Sequence, residues 1–120
     1  MSILTLAQDS LLQILSRKAS ETLATNEFVG NYHDPNHPGC VRTVKALSAT
    51  EVAVTGFDGA TGGTCNGKND QPWGPLDGKV TGDTIVIDFR PKGGPPDLTG
   101  TWTPASKRIT WADGNYWPMY

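Results

Sequence analysis

The sequence predicts a mainly β protein: a small antiparallel up-and-down barrel of seven or eight strands, preceded by one N-terminal amphipathic α-helix. Three observations predict it. Apolar residues near the start recur at helical spacing, a pattern that stops after Glu27. From Phe28 onward, short β-branched or aromatic runs alternate with clusters of Gly, Pro, Asn and Asp. Several of the intervening links are short enough for hairpins, which makes neighbouring strands antiparallel.

The helix is expected from about Thr5 to Ala24. Ala7, Leu11, Ile14, Leu15, Ala19 and Leu23 fall on one face, whereas Gln8, Ser10, Arg17, Lys18 and Glu21 fall mostly elsewhere. Gln8 and Asp9 interrupt the opening apolar run, and no basic stretch precedes it, so the segment does not read as a signal peptide. Its apolar face either packs on the following domain or on a second copy in a homodimer, or docks on a protein partner or a membrane surface. Residues 1–27 therefore form the helical segment and 28–120 a single barrel domain. Strands are expected near Phe28–His33, Cys40–Leu47, Glu51–Phe57, Leu76–Thr81, Thr84–Arg90, Leu98–Thr103, Lys107–Trp111 and Asn115–Met119. Ser48-Ala49-Thr50, Gly82-Asp83 and Asp113-Gly114 supply hairpin turns, the last with strong type I′ character. Ile85, Ile87 and Phe89 mark a buried face, and Trp102 and Trp111 sit where a similar inward face would hold them. Closing the sheet into a barrel removes the exposed edges that a lone sheet would have to protect.

Length and composition exclude other classes. A chain of 120 residues suits one core. Four Trp, three Tyr and three Phe argue against disorder. A formal net charge of −2 gives no electrostatic reason to expect nucleic acid. No apolar run approaches the roughly 18–20 residues of a membrane-spanning helix.

The densest polar cluster is Tyr32-His33-Asp34-Pro35-Asn36-His37-Pro38-Gly39-Cys40. His33, His37 and Cys40 are weak candidates for a metal site: the side chains suit zinc or copper. However, the prolines and glycine make this a loop, no second ligand pair follows, and no metal is expected. A turn held by Asp34 and Asn36 side chains is the plainer reading. Cys40 and Cys65 are the only cysteines. They either pair in a disulfide, stabilising by roughly 3 kcal/mol on the loop-entropy model, or remain free thiols. Pairing implies an oxidising compartment, either a plastid lumen or the cell exterior; free thiols imply the cytoplasm. Gly62 to Asn69 nearly matches a phosphate-binding loop, but Asn69 stands where a hydroxyl is needed and Pro72 precludes the required helix.

Three segments, FVGNYHDPNHPGCVR (28–42), LDGKVTGDTIVIDFRPKGGPPDLTGTW (76–102) and ITWADGNYW (109–117), resemble small β-domain proteins of algae, plants and cyanobacteria. The resemblance covers nearly everything after Glu27 and brings no assigned activity or catalytic residues. A looser likeness to lipocalin- and avidin-type barrels rests on the meander and the terminal Trp residues, at fold level only.

An aromatic-rich barrel without a catalytic constellation is expected to bind a small organic or carbohydrate ligand at an open end, with no cofactor. Trp73 (read as lying in a loop), Tyr32, Arg42 and Trp117 are the expected contacts, since concave sites combine aromatic walls with a few fixed polar groups. Asp34, Asp58, Asp88, His33 and His37 could serve acid–base chemistry, but their spacing singles out no pair. The alternatives are a cofactor-free cyclase or isomerase acting in the barrel cavity, a metal-assisted enzyme using the His33/His37 loop, or an accessory subunit docking to a larger, photosynthetic complex through its N-terminal helix.

Overall fold

Inward and outward residues alternate along the strands of the computed structural model, which describes residues 26–60 and 63–120. The helix expected over Thr5–Ala24 lies outside the described residues. The strands are β1 (Gly30–Tyr32), β2 (Arg42–Ala46), β3 (Glu51–Asp58), β4 (Gln71–Thr81), β5 (Thr84–Ile87), β6 (Leu98–Thr103), β7 (Arg108–Trp111) and β8 (Tyr116–Pro118). Each pairs antiparallel with the next, in sequence order. A bridge between Tyr32 and Met119 draws the first and last strands together. Two backbone bonds flank it, from His33 N to the Pro118 carbonyl and from Tyr120 N to the Asn31 carbonyl, each 2.9 Å. The eight strands thus form a nearly closed, barrel-like meander. Among the described residues, no helix is long and apolar enough to cross a membrane.

Even-numbered residues of β2 and β3 face inward. Val44, Val52 and Val54 are buried, as are Ile85, Ile87, Ile109 and Trp111 on later strands. An eight-stranded barrel is just wide enough for its own side chains, and these fill it. At one end, Phe28 meets Trp102 edge-on at 6.0 Å, and the Tyr32 hydroxyl donates to the Phe28 carbonyl at 2.6 Å. Burial, assisted by the charge of Glu27, pushes the Tyr32 phenol well above its ordinary range. At the other end, Phe89, Trp111 and Trp117 pack edge-to-face, with centroids 4.8–5.9 Å apart.

Two elements depart from the sequence expectation by more than two residues at one end. The fifth strand stops at Ile87 because Asp88 accepts from the Arg90 amide at 3.0 Å and clasps its guanidinium, opening a 3₁₀ turn over Arg90–Lys92. The fourth starts at Gln71, five residues before the expected Leu76. Pro72 and Pro75 are tolerated because β5 meets only Gly78–Thr81, leaving that edge of Gln71–Asp77 without a strand partner.

This extension contains a bulge. Val54 pairs with Leu76, but Gly56 pairs with Trp73, so β4 carries one extra residue there. Gly74 sits within it at φ +95°, where a side chain would be strained. The extra residue reverses the parity of the strand. Leu76, Gly78 and Val80 face inward as even positions; beyond the bulge, odd-numbered Trp73 joins them. Its ring then covers Gly56. A Cβ at Gly56 would lie 2.8 Å from Trp73 Cε2. Gly56→Ala is therefore expected to cost about 1–3 kcal/mol, the usual range for overpacking. Urea denaturation checks this, and an unchanged midpoint would show that the ring does not need the glycine.

Candidate functional site

In an up-and-down meander, alternate connections share an end. Residues 33–41, 59–60, 63–70, 88–97 and 112–115 therefore converge on one mouth, although they are scattered through the sequence. The first two connections are tied covalently: Cys40 and Cys65 form a disulfide, with Cα atoms 5.0 Å apart. Cys65 N also donates to the Pro38 carbonyl at 2.9 Å.

Arg42 begins β2 on the inward face, and its side chain is wholly buried. A buried guanidinium requires partners. Nη2 donates to Asp34 Oδ2 at 3.1 Å and to Asp58 Oδ1 at 2.9 Å, while Nη1 donates to the Phe57 carbonyl. The guanidinium carbon lies 5.2 Å from the Trp73 ring centre and 5.9 Å from that of Trp117, within cation–π range. Asp58 also accepts from Lys92 Nζ at 2.9 Å and from Trp73 Nε1 at 3.2 Å. Burial is the largest single influence on the Asp58 carboxyl and opposes its ionisation. The hydrogen bonds and charges of Lys92 and Arg42 together outweigh it and hold the carboxyl below the usual range. Asp34 completes the network: its Oδ1 accepts from the Asn36 amide at 2.9 Å and from Asn115 Nδ2 at 3.0 Å.

Over this network lies a pocket of about 190 Å³. Phe89, Trp111, Trp117, Pro95 and Leu98 supply apolar wall; Asp34, Asn36, His37, Lys92, Asp113 and Asn115 supply polar groups. Two of its lining residues carry buried nitrogens without a hydrogen-bond partner, Trp111 Nε1 and His37 Nδ1. His37 Nδ1 lies 3.6 Å from Asp58 Oδ1, beyond hydrogen-bonding distance.

The residues expected from sequence fall into separate places. Trp117 lines the pocket. Arg42 and Trp73 lie beneath it, joined through Asp58, and Trp73 belongs to a strand instead of a loop. Tyr32 is fully enclosed in the core with its hydroxyl satisfied, so it offers no surface to a ligand. The two histidines do not converge with Cys40. Cys40 is consumed by the disulfide, and His33 stacks on Tyr120 with ring centres 3.6 Å apart. Among the described residues, no group of three or more His, Cys, Asp or Glu side chains is arranged to hold a metal. Lys92, Phe89, Trp111, Asp113, Asn115 and Asn36 were not foreseen as site residues. The signal that could have found them is the meander itself, which places alternate loops together. Comparison with family models, with curated proteins and with solved structures found no match.

Two substitutions test the network. Arg42→Met leaves Asp34 and Asp58 without their shared partner and is expected to cost about 3–5 kcal/mol, as for other broken buried pairs. Chemical denaturation measures it, and a loss under 1 kcal/mol would show that the network contributes little. Asp58 has a native pKa below its unfolded value of about 3.9. Its contribution is fully present above that unfolded value and is lost as pH falls through the native value. Asp58→Asn should therefore lower Tm most near pH 7, with the gap to wild type narrowing steadily into acid. A gap independent of pH would contradict the assignment.

Proposed function

We propose that this protein is a non-enzymatic binding module that takes a small organic ligand at the mouth formed by the β1–β2, β3–β4, β5–β6 and β7–β8 connections. The observation that carries the reading is the pocket itself: aromatic wall and polar groups converge on about 190 Å³, with the buried Trp111 N–H unpartnered on a lining ring. Concave sites that join apolar walls to a few placed polar groups are the usual form of small-molecule sites. The barrel interior is occupied by side chains, so the ligand rests at the mouth. Trp117 is retained as a contact. Arg42 and Trp73 act one layer below, by fixing the groups that line the pocket. The Cys40–Cys65 disulfide fits residence in an oxidising compartment and joins two of the loops at this mouth.

Trp111 and Trp117 make intrinsic fluorescence a direct reporter. Titration with a chemically diverse panel of small molecules is expected to shift the emission for at least one compound. Asn115→Ala is expected to weaken that response, because Asn115 both lines the pocket and bonds to Asp34. A panel that leaves the emission unmoved, or a response untouched by Asn115→Ala, would remove the mouth as the site.

A further inference from the structure

We infer that the mouth pocket selects one uncharged pyranose-sized ring bearing several hydroxyls; the inference rests on the binding reading above and adds the ligand class. Size comes first. About 190 Å³ corresponds to about six waters at ~30 Å³ each. Pockets that take drug-sized ligands measure roughly 300–1,000 Å³, so this smaller one suits a single ring.

Charge comes second. The cations at the site are already engaged: Arg42 by Asp34 and Asp58, and Lys92 by Asp58 and the Trp73 face, 4.7 Å away. Two positive and two negative side chains balance one another. An anionic ligand would have to compete for cations held in this network. A cationic one would find Asp34 and Asp58 similarly occupied, leaving only the exposed Asp113 at the rim. Neither charge meets a free buried counter-charge, and one exposed carboxylate contributes little.

Hydrogen bonding comes third. Trp111 Nε1 is buried without a partner, so the polar contacts at the mouth fall to side-chain amides. The Asn36 side chain is exposed at the rim, and Asn115 keeps its amide oxygen after giving its nitrogen to Asp34. Amides both donate and accept, as hydroxyls do. A ring whose edge carries hydroxyls and whose faces carry C–H groups matches this mixture of polar groups and the apolar wall of Phe89, Trp111, Trp117 and Leu98.

Calorimetric titration of the full chain with methyl α-glucopyranoside, methyl α-mannopyranoside and methyl β-galactopyranoside tests the inference. Glucuronate and glucosamine serve as charged counterparts, and uracil and phenol as flat neutral ones. At least one glycoside is expected to bind, with both charged sugars and both flat compounds weaker by about tenfold, a difference near 1.4 kcal/mol. Asn115→Ala, which deletes a lining amide, is expected to weaken the glycoside about tenfold. Because Asn115 also bonds to Asp34, the exposed Asn36→Ala provides a second variant with an expected severalfold loss, while Thr101→Ala on the outer wall changes nothing. Uracil, phenol or a charged sugar binding as tightly as the best glycoside overturns the ligand class and leaves the mouth as a binding site. Glycoside binding indifferent to both pocket variants overturns the placement. If no probe of any class binds, both readings fall together.

Discussion

The upper half of this barrel depends on keeping one charge away from water. Arg42 is buried on every side, and an isolated guanidinium there would be prohibitively costly. Its partners come from different parts of the chain: Asp34 from the β1–β2 connection, and Asp58 and the Phe57 carbonyl from the end of β3. The bonding then spreads outward. Asp58 reaches Lys92 in the β5–β6 connection, and Asp34 reaches Asn115 in the β7–β8 connection. Three of the four upper connections, and the end of the strand leading into the fourth, are thus gathered by one polar network. The disulfide covers the remaining gap, joining β3–β4 to β1–β2 through Cys65 and Cys40. Loops that would otherwise move independently are held in one arrangement, as a site requires of its supporting groups.

The two ends of the barrel solve different problems. The lower end is closed by apolar contact, Phe28 against Trp102, with the Tyr32 hydroxyl used only to satisfy a backbone carbonyl. The upper end combines the ionic network with aromatic rings: Trp73 and Trp117 lie within cation–π range of Arg42. Such a network adds less to stability than its Coulomb energy suggests, because desolvation offsets most of the attraction. Its worth lies in geometry. Apolar replacements could fill the same volume, but they could not orient Asp34 and Asn115 at a mouth.

Much of this was legible in the sequence, and the reasons are specific. Ile85, Ile87 and Phe89 alternate with outward or half-buried residues, so their strand was readable by parity; β6 runs over Leu98–Thr103 as expected. Trp73 was not readable. Pro72, Gly74 and Pro75 signal a loop by every local rule, and only the missing β5 partner along that edge lets them lie in a strand. The bulge that turns Trp73 inward leaves no periodic trace, because it breaks the periodicity that would reveal it. Arg42 and Tyr32 were visible as unusual residues, but their burial was not, since sequence does not show that a neighbour sixteen positions away, Asp58, pairs with one, or that a carbonyl four positions back satisfies the other. Asp34 and Asn115 meet across 81 positions, a contact that only strand order can supply.

Strand number also decides where function can reside. Barrels with more strands leave a lumen, and some of this size hold one small ligand inside. Here Phe89, Trp111 and Trp117 are buried in the upper interior, with the Arg42 guanidinium among them. The groups left accessible at this end are therefore those of the loops above, the part of a fold that varies without disturbing its core. The ionic network shapes that layer in a second way. Having paired two cations with two carboxylates beneath the surface, it leaves Asp113, exposed at the rim, outside the network beside the side-chain amides of Asn36 and Asn115. The burial of Arg42 thus bears on form and charge together: it draws the loops into one arrangement, and it keeps two cations and two carboxylates paired with one another beneath them.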